Sequence, residues 1–197
     1  GLVEFDATSG WTQLGETGRT LPRLGLGGYP IVRQPNDDAG AAVVRRAIEL
    51  GARYIDTAPS YGNGVSERRI GLAIKDAARD ELFIATKTLE RRADGARREL
   101  ERSLERLGTD YIDSVQVHEV HDDVDRVFEP GSVLEALEKA KDEGLIRHIG
   151  VTVHRNPKYA LAALERYPFA TALVPVNPLD VQHLSFVRDL LPVARSK

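Results

Sequence analysis

The chain has 197 residues, 42% of them hydrophobic, a formal net charge of −3, and neither cysteine nor methionine. That content suits one sizeable core within a single domain spanning 1–197, and the slight acidity removes the electrostatic case for nucleic acid or an anionic membrane as partner. No apolar run reaches the ~18–20 residues of a membrane span, zero cysteines exclude disulfides and thiolate chemistry, and Gly1 to Asp6 carries no leader pattern, so a cytoplasmic location is expected.

Trp11 to Arg23 reads as a hairpin, with Gly15-Glu16-Thr17-Gly18 as its turn and Pro22 as the stop of its second strand. Leu24 to Gly28 reads as a buried strand whose glycines allow close backbone approach. They resemble part of a dinucleotide fingerprint, but Tyr29-Pro30 follows where a helix should start. Gly28 is kept as a cofactor-contact candidate. Asn36-Asp37-Asp38 caps a helix that runs to Leu50 and is closed by Gly51. A strand then ends at Asp56, a Pro/Ser/Gly loop carries Tyr61, and Ser66 is placed to cap a helix over 67–77. The next strand ends at Lys87, a charged helix covers 94–107, and a third strand ends at His118. Helices over 133–143, 158–166 and 184–194 alternate with strands over 148–152 and 172–176. About six strand–helix units in succession predict a parallel sheet with helices outside it.

Three apolar runs thus end in a carboxylate, an ammonium and an imidazole, while an adjoining loop supplies a phenol. Functional groups at successive strand ends suit the C-terminal face of a (β/α)8 barrel better than a Rossmann sheet, which wants a Gly-rich turn before its first helix. Such a barrel takes about 250 residues and eight units. The expectation is therefore a TIM barrel lacking its last two β/α units. Each residue also has a plainer reading: Asp56 as an Asx-turn former, Tyr61 as a loop aromatic, Lys87 as a Schiff-base lysine. His118-Glu119-Val120-His121-Asp122-Asp123 has the composition of a metal cluster but not the spacing. Its two histidines fall three apart across a strand end, so no metal is assigned, and 121–125 reads as a solvated loop.

The residues Asp56-Thr-Ala-Pro-Ser-Tyr61-Gly, Ser66-Glu67-Arg-Arg-Ile-Gly71, Thr86-Lys87, Asp110-Tyr-Ile-Asp113 before His118, Gly144-Leu-Ile-Arg147 and Asn177-Pro178 resemble the motifs of the aldo-keto reductases, in order from Trp11 onward. The resemblance implies NADP(H), or in some members NAD(H), as cofactor and a small aldehyde or ketone as substrate. It implies a tetrad of Asp56, Tyr61, Lys87 and His118, with Tyr61 as general acid. Cofactor contacts are implied at Gly28, Asp56, Thr152 and Asn177. Thr152-Val153-His154 departs from the Ser-Asn pair common in the family. The residues suit the chemistry: a lysine ammonium beside a phenol is expected to lower its pKa, a carboxylate offsets the buried lysine, and a neutral imidazole orients a carbonyl. A reductase-like binding or regulatory module with little turnover is the alternative.

Overall fold

The structure, a computed structural model, describes residues 10–196. Trp11–Gln13 (β1) and Thr20–Pro22 (β2) form an antiparallel hairpin, and Pro22 is its last residue, opposite Trp11. Six further strands form one sheet in chain order: Leu26–Gly27 (β3), Tyr54–Asp56 (β4), Phe83–Thr88 (β5), Ile112–Val117 (β6), Ile146–Thr152 (β7) and Thr171–Leu173 (β8). β3 runs parallel to β4, β4 to β5, and β7 to β8. Helices Asp37–Glu49 (α1), Val65–Ile74 (α2), Ala93–Leu107 (α3), Val133–Asp142 (α4) and Pro157–Arg166 (α5) occupy the crossovers between those strands. Successive parallel strands, each joined to the next through a helix, are the construction of a (β/α)8 barrel. Six of its eight strands are present among the described residues. Every residue of β5 and β6 is buried, as expected of strands covered on both faces.

The chain divides into two compact units, one holding the chain up to Thr86 together with Glu101–Asp113, the other holding Lys87–Leu100 and everything from Ser114 on. In the first, the hairpin supplies a hydrophobic plug. Leu14 and Leu21 pack with Tyr54, Phe83 and Ala85, and the Tyr54 and Phe83 rings stack at 5.4 Å. Helix α1 begins as its sequence predicts, with Asn36 Oδ1 accepting from the Ala39 N–H at 2.8 Å. Arg69 on α2 ties the two helices together. It donates to Asp37 at 3.0 Å and to the Ile31 carbonyl at 2.7 Å.

Beneath the strands lies a buried ion pair. Asp113, with no exposed surface, accepts from the Ile84 N–H at 3.0 Å and from Arg79 Nη1 at 2.8 Å. Arg79 rests over the Tyr111 ring at 4.2 Å and donates to the Tyr111 carbonyl at 2.9 Å. The guanidinium thus spends its donors on the Asp113 carboxylate, the Thr109 hydroxyl and the Leu82 and Tyr111 carbonyls, the condition under which a buried pair is tolerated.

In the second unit, α4 buries Val133, Ala136, Leu137 and Ala140, and α5 buries Pro157, Ala160, Ala163 and Leu164. The terminal helix differs from expectation. Phe186–Leu190 forms one π turn, and a short helix, Leu191–Arg195 (α6), follows with Pro192 near its start. Proline cannot donate to an upstream carbonyl from a helix interior, so the segment is divided there rather than continuous. Asp180 organises the entry to this turn, accepting from the Ser185 hydroxyl at 2.7 Å and from the Phe186 and Val187 N–H groups at 3.0 and 2.9 Å.

Replacing Asp113 by alanine leaves the Arg79 charge and the Ile84 N–H without their acceptor. We expect a loss of about 3–5 kcal/mol, the range for breaking one side of a buried pair, read as a lowered urea midpoint with unchanged far-UV circular dichroism.

Candidate active site

Asp56 is the last residue of β4, and its carbonyl accepts from the Gly28 N–H at 2.7 Å, extending the β3–β4 pairing by one bond. The loop that follows is shaped by its backbone. Gly62, Asn63 and Gly64 take φ values of 62°, 53° and 86° in succession, a left-handed run that glycine and asparagine adopt at least cost. Thr57 anchors its start, with its N–H on the Ala85 carbonyl at 2.8 Å and its hydroxyl on Ser66 Oγ at 2.8 Å. Ser66 in turn donates to the Gly28 carbonyl at 2.9 Å. The serine anticipated as a helix cap therefore does a different task. Helix α2 starts two residues early, at Val65, with Gly64 in the capping position, because the Ser66 hydroxyl is taken by the neighbouring loops.

Glu67, on the first turn of α2, has no exposed surface. Its Oε1 accepts from the Thr86 hydroxyl at 2.7 Å and its Oε2 pairs with Arg106 at 3.1 Å. Gly28 is buried hard against the protein itself: a Cβ there would lie 2.6 Å from the Asp56 carbonyl and 2.7 Å from Ser66 Oγ. The close approach inferred from the sequence is thus between this chain's own segments.

Tyr61 is half-buried on the loop, edge-on to Tyr29 with ring centroids 5.3 Å apart. Burial first, then the Asp56 carboxylate and Tyr29, push its hydroxyl up to about 12. This is opposite in direction to the lowering anticipated from the sequence, because desolvation penalises phenolate. The phenol keeps its proton across the neutral range.

In the second unit, Lys87 is the penultimate residue of β5 and only 1% exposed. His118 follows β6 directly and extends its ladder, its N–H donating to the Thr88 carbonyl at 2.8 Å. Its ring lies 5.7 Å from that of His154. Burial first, then the nearby charges of Lys87, His154, Arg91 and His121, push the imidazole down to about 4, so it is neutral at physiological pH. Thr152 ends β7 and is fully buried, and among the described residues its hydroxyl has no hydrogen-bond partner. A buried hydroxyl in that condition suits a bound polar group such as a carboxamide. Asn177 is exposed, and its Oδ1 accepts from the Leu179 N–H at 2.9 Å, forming a local turn.

The loop after β6 departs from the solvated segment anticipated. Val124 and Val127 are buried, and Asp123 accepts from Arg91 Nε at 2.7 Å and from the His121 N–H at 3.1 Å. Arg91 was not anticipated at all. The clue in sequence was slight: a charged Glu90-Arg91-Arg92 run three to five residues beyond Lys87, matched by an acidic run beyond His118.

The sequence pattern of the aldo/keto reductase family matches residues 23–197, and the chain belongs to that family. It is 32% identical to an aldo-keto reductase of Bacillus subtilis (YhdN) across 94% of this chain and 58% of that protein. It is 36% identical to a methylglyoxal reductase of Yersinia pestis (DkgA) across 88% of this chain and 58% of that protein. The structure superposes on an aldo-keto reductase of Klebsiella pneumoniae in complex with NADPH with a TM-score of 0.75 and 27% identity, covering 94% of this chain and 64% of that one. The chain thus spans a little under three-fifths of the length of those curated relatives.

The depressed His118 sets a pH dependence of stability. The unfolded imidazole takes its proton near 6.5 and the folded one only near 4, so the unfolded state binds more protons in between. Stability should be full above about 6.5, fall as the pH drops towards about 4, and fall no further from this cause below it. Melting temperatures from pH 4 to 7 should therefore decline more steeply in the wild type than in His118→Gln.

Proposed function

We propose that the protein reduces aldehydes or ketones to alcohols, with Tyr61 donating the proton, Lys87 and Asp56 setting its acidity, and His118 orienting the carbonyl. Family membership supports the reaction class. The observation that carries the assignment is the placing of the titratable groups: Asp56 closes β4, Lys87 stands one residue from the end of β5, and His118 directly follows β6. C-terminal strand ends are where barrel enzymes hold their chemistry.

NADP(H), when bound, supplies the hydride. The NADPH held by the Klebsiella relative supports the phosphorylated cofactor over NAD(H). In this chain the Thr152 hydroxyl is the best-suited contact for a carboxamide, with Gly28, Asp56 and Asn177 as the remaining candidates. As hydride arrives at the carbonyl carbon, negative charge grows on its oxygen, and a donor must meet it. A phenol protonated at neutral pH can do so. The Lys87 ammonium favours the phenolate left behind, and re-protonation from solvent restores the acid. A neutral His118 can donate one ring N–H to the carbonyl without adding a second positive charge beside Lys87. Small carbonyl compounds of the methylglyoxal type are the substrates to try first, given the relative that reduces it.

The experiment is NADPH oxidation with methylglyoxal and 4-nitrobenzaldehyde. Tyr61→Phe keeps the ring and removes the hydroxyl, and should lower kcat/KM by the ~10²–10⁴-fold typical of a lost general acid, with little change in NADPH affinity. Near-wild-type turnover in Tyr61→Phe would refute the acid assignment. A wild type that binds NADPH without turning over any carbonyl would favour the binding-module reading instead.

A further inference from the structure

We infer that Arg91 is the positioning residue for His118, clamping the loop after β6 to the loop after β5 through five hydrogen bonds from one guanidinium. Its Nη1 donates to the His118 carbonyl at 2.9 Å and to the Leu89 and Glu90 carbonyls at 3.2 and 3.3 Å. Its Nη2 reaches the Glu119 carbonyl at 3.4 Å, and its Nε donates to Asp123 at 2.7 Å. The side chain is 9% exposed; its bonds to His118, Glu119 and Asp123 are partly shielded from water, where a lost partner is costly, while those to Leu89 and Glu90 face solvent.

The clamp is specific to guanidinium. Three nitrogens in one plane reach carbonyls on both loops and a carboxylate at once, a set of directions that one ammonium cannot cover. Asp123 completes it. Burial pushes the carboxyl up, but the bonds from the His121 N–H and from Arg91 outweigh this and hold it below the usual range, so it stays a carboxylate. Its other oxygen fixes His121, so the backbone from His118 to Asp123 is pinned at its first, second, fourth and last residues. The His118 ring then has a fixed base from which to project. Arg91 also adds its charge to those that keep that ring neutral.

The inference rests on the role given to His118 above, and one experiment separates the two. Arg91→Lys keeps the charge and loses the fork; Arg91→Met loses both. Both variants should lower kcat per folded molecule at least tenfold with KM for NADPH close to wild type, and the melting temperature should fall further in Arg91→Met than in Arg91→Lys. NMR titration of the five histidines should show the His118 signal shifted or broadened in both variants, and titrating at higher pH in Arg91→Met alone. Wild-type kcat and an unmoved His118 signal in Arg91→Lys overturn the inference. So does a loss of activity in step with a loss of folded protein. If the wild type turns over no carbonyl, the functional reading fails, and the NMR comparison decides the clamp by itself.

Discussion

Glu67 is a carboxylate buried without exposed surface, and the first unit is arranged around satisfying it. A charge taken from water at that depth is tolerated only when a counter-charge and hydrogen bonds meet it. Arg106 brings the end of α3 to it, and the Thr86 hydroxyl brings β5 to it. Both contacts fix the start of α2, which follows the Tyr61 loop directly. Thr86 is also the residue before Lys87. One buried group therefore fixes the start of the helix behind the Tyr61 loop and holds Thr86 of β5 within the same unit.

Tyr61 and His118 shift in opposite directions for the same reason. Burial favours the neutral form, so the Tyr61 phenol rises to about 12 and the His118 imidazole falls to about 4. Both are uncharged at neutral pH, and both are hydrogen-bond donors in that state. In the proposed reduction, neutral donors of this kind would meet a carbonyl oxygen gaining charge without adding a fixed cation.

Much of this was legible in the sequence, and the reason is period and punctuation. The runs ending at Asp56, Lys87 and His118 are apolar and bounded by turn residues, so their ends could be placed within a residue. The Asn36 cap was equally plain, since an asparagine before an acidic first turn has few other uses. What escaped were tasks set by residues distant in the chain. Ser66 has the composition of a cap, yet its hydroxyl serves Gly28, 38 positions earlier. Asp123 sits in an acidic run that reads as solvated, and only Arg91, 32 positions earlier, makes it structural. The direction of the Tyr61 shift was misjudged because a sequence does not reveal how much water a loop residue loses. Pro192 was visible, but its consequence was underweighted, and the helix it interrupts is divided.

The left-handed run at 62–64 ties the loop's inheritance to that of the buried pair. A side chain at Gly64 would be strained by its φ of 86°, and its Cβ would also lie 2.5 Å from the Arg106 guanidinium that holds Glu67. The same change would thus disturb a turn and a counter-ion together, and its cost would not add simply to that of a change at Arg106 or Glu67. Gly64, Glu67 and Arg106 form one epistatic block. Variation in the loop can accumulate at exposed Ser60, whereas replacement within the block requires its members to change in concert.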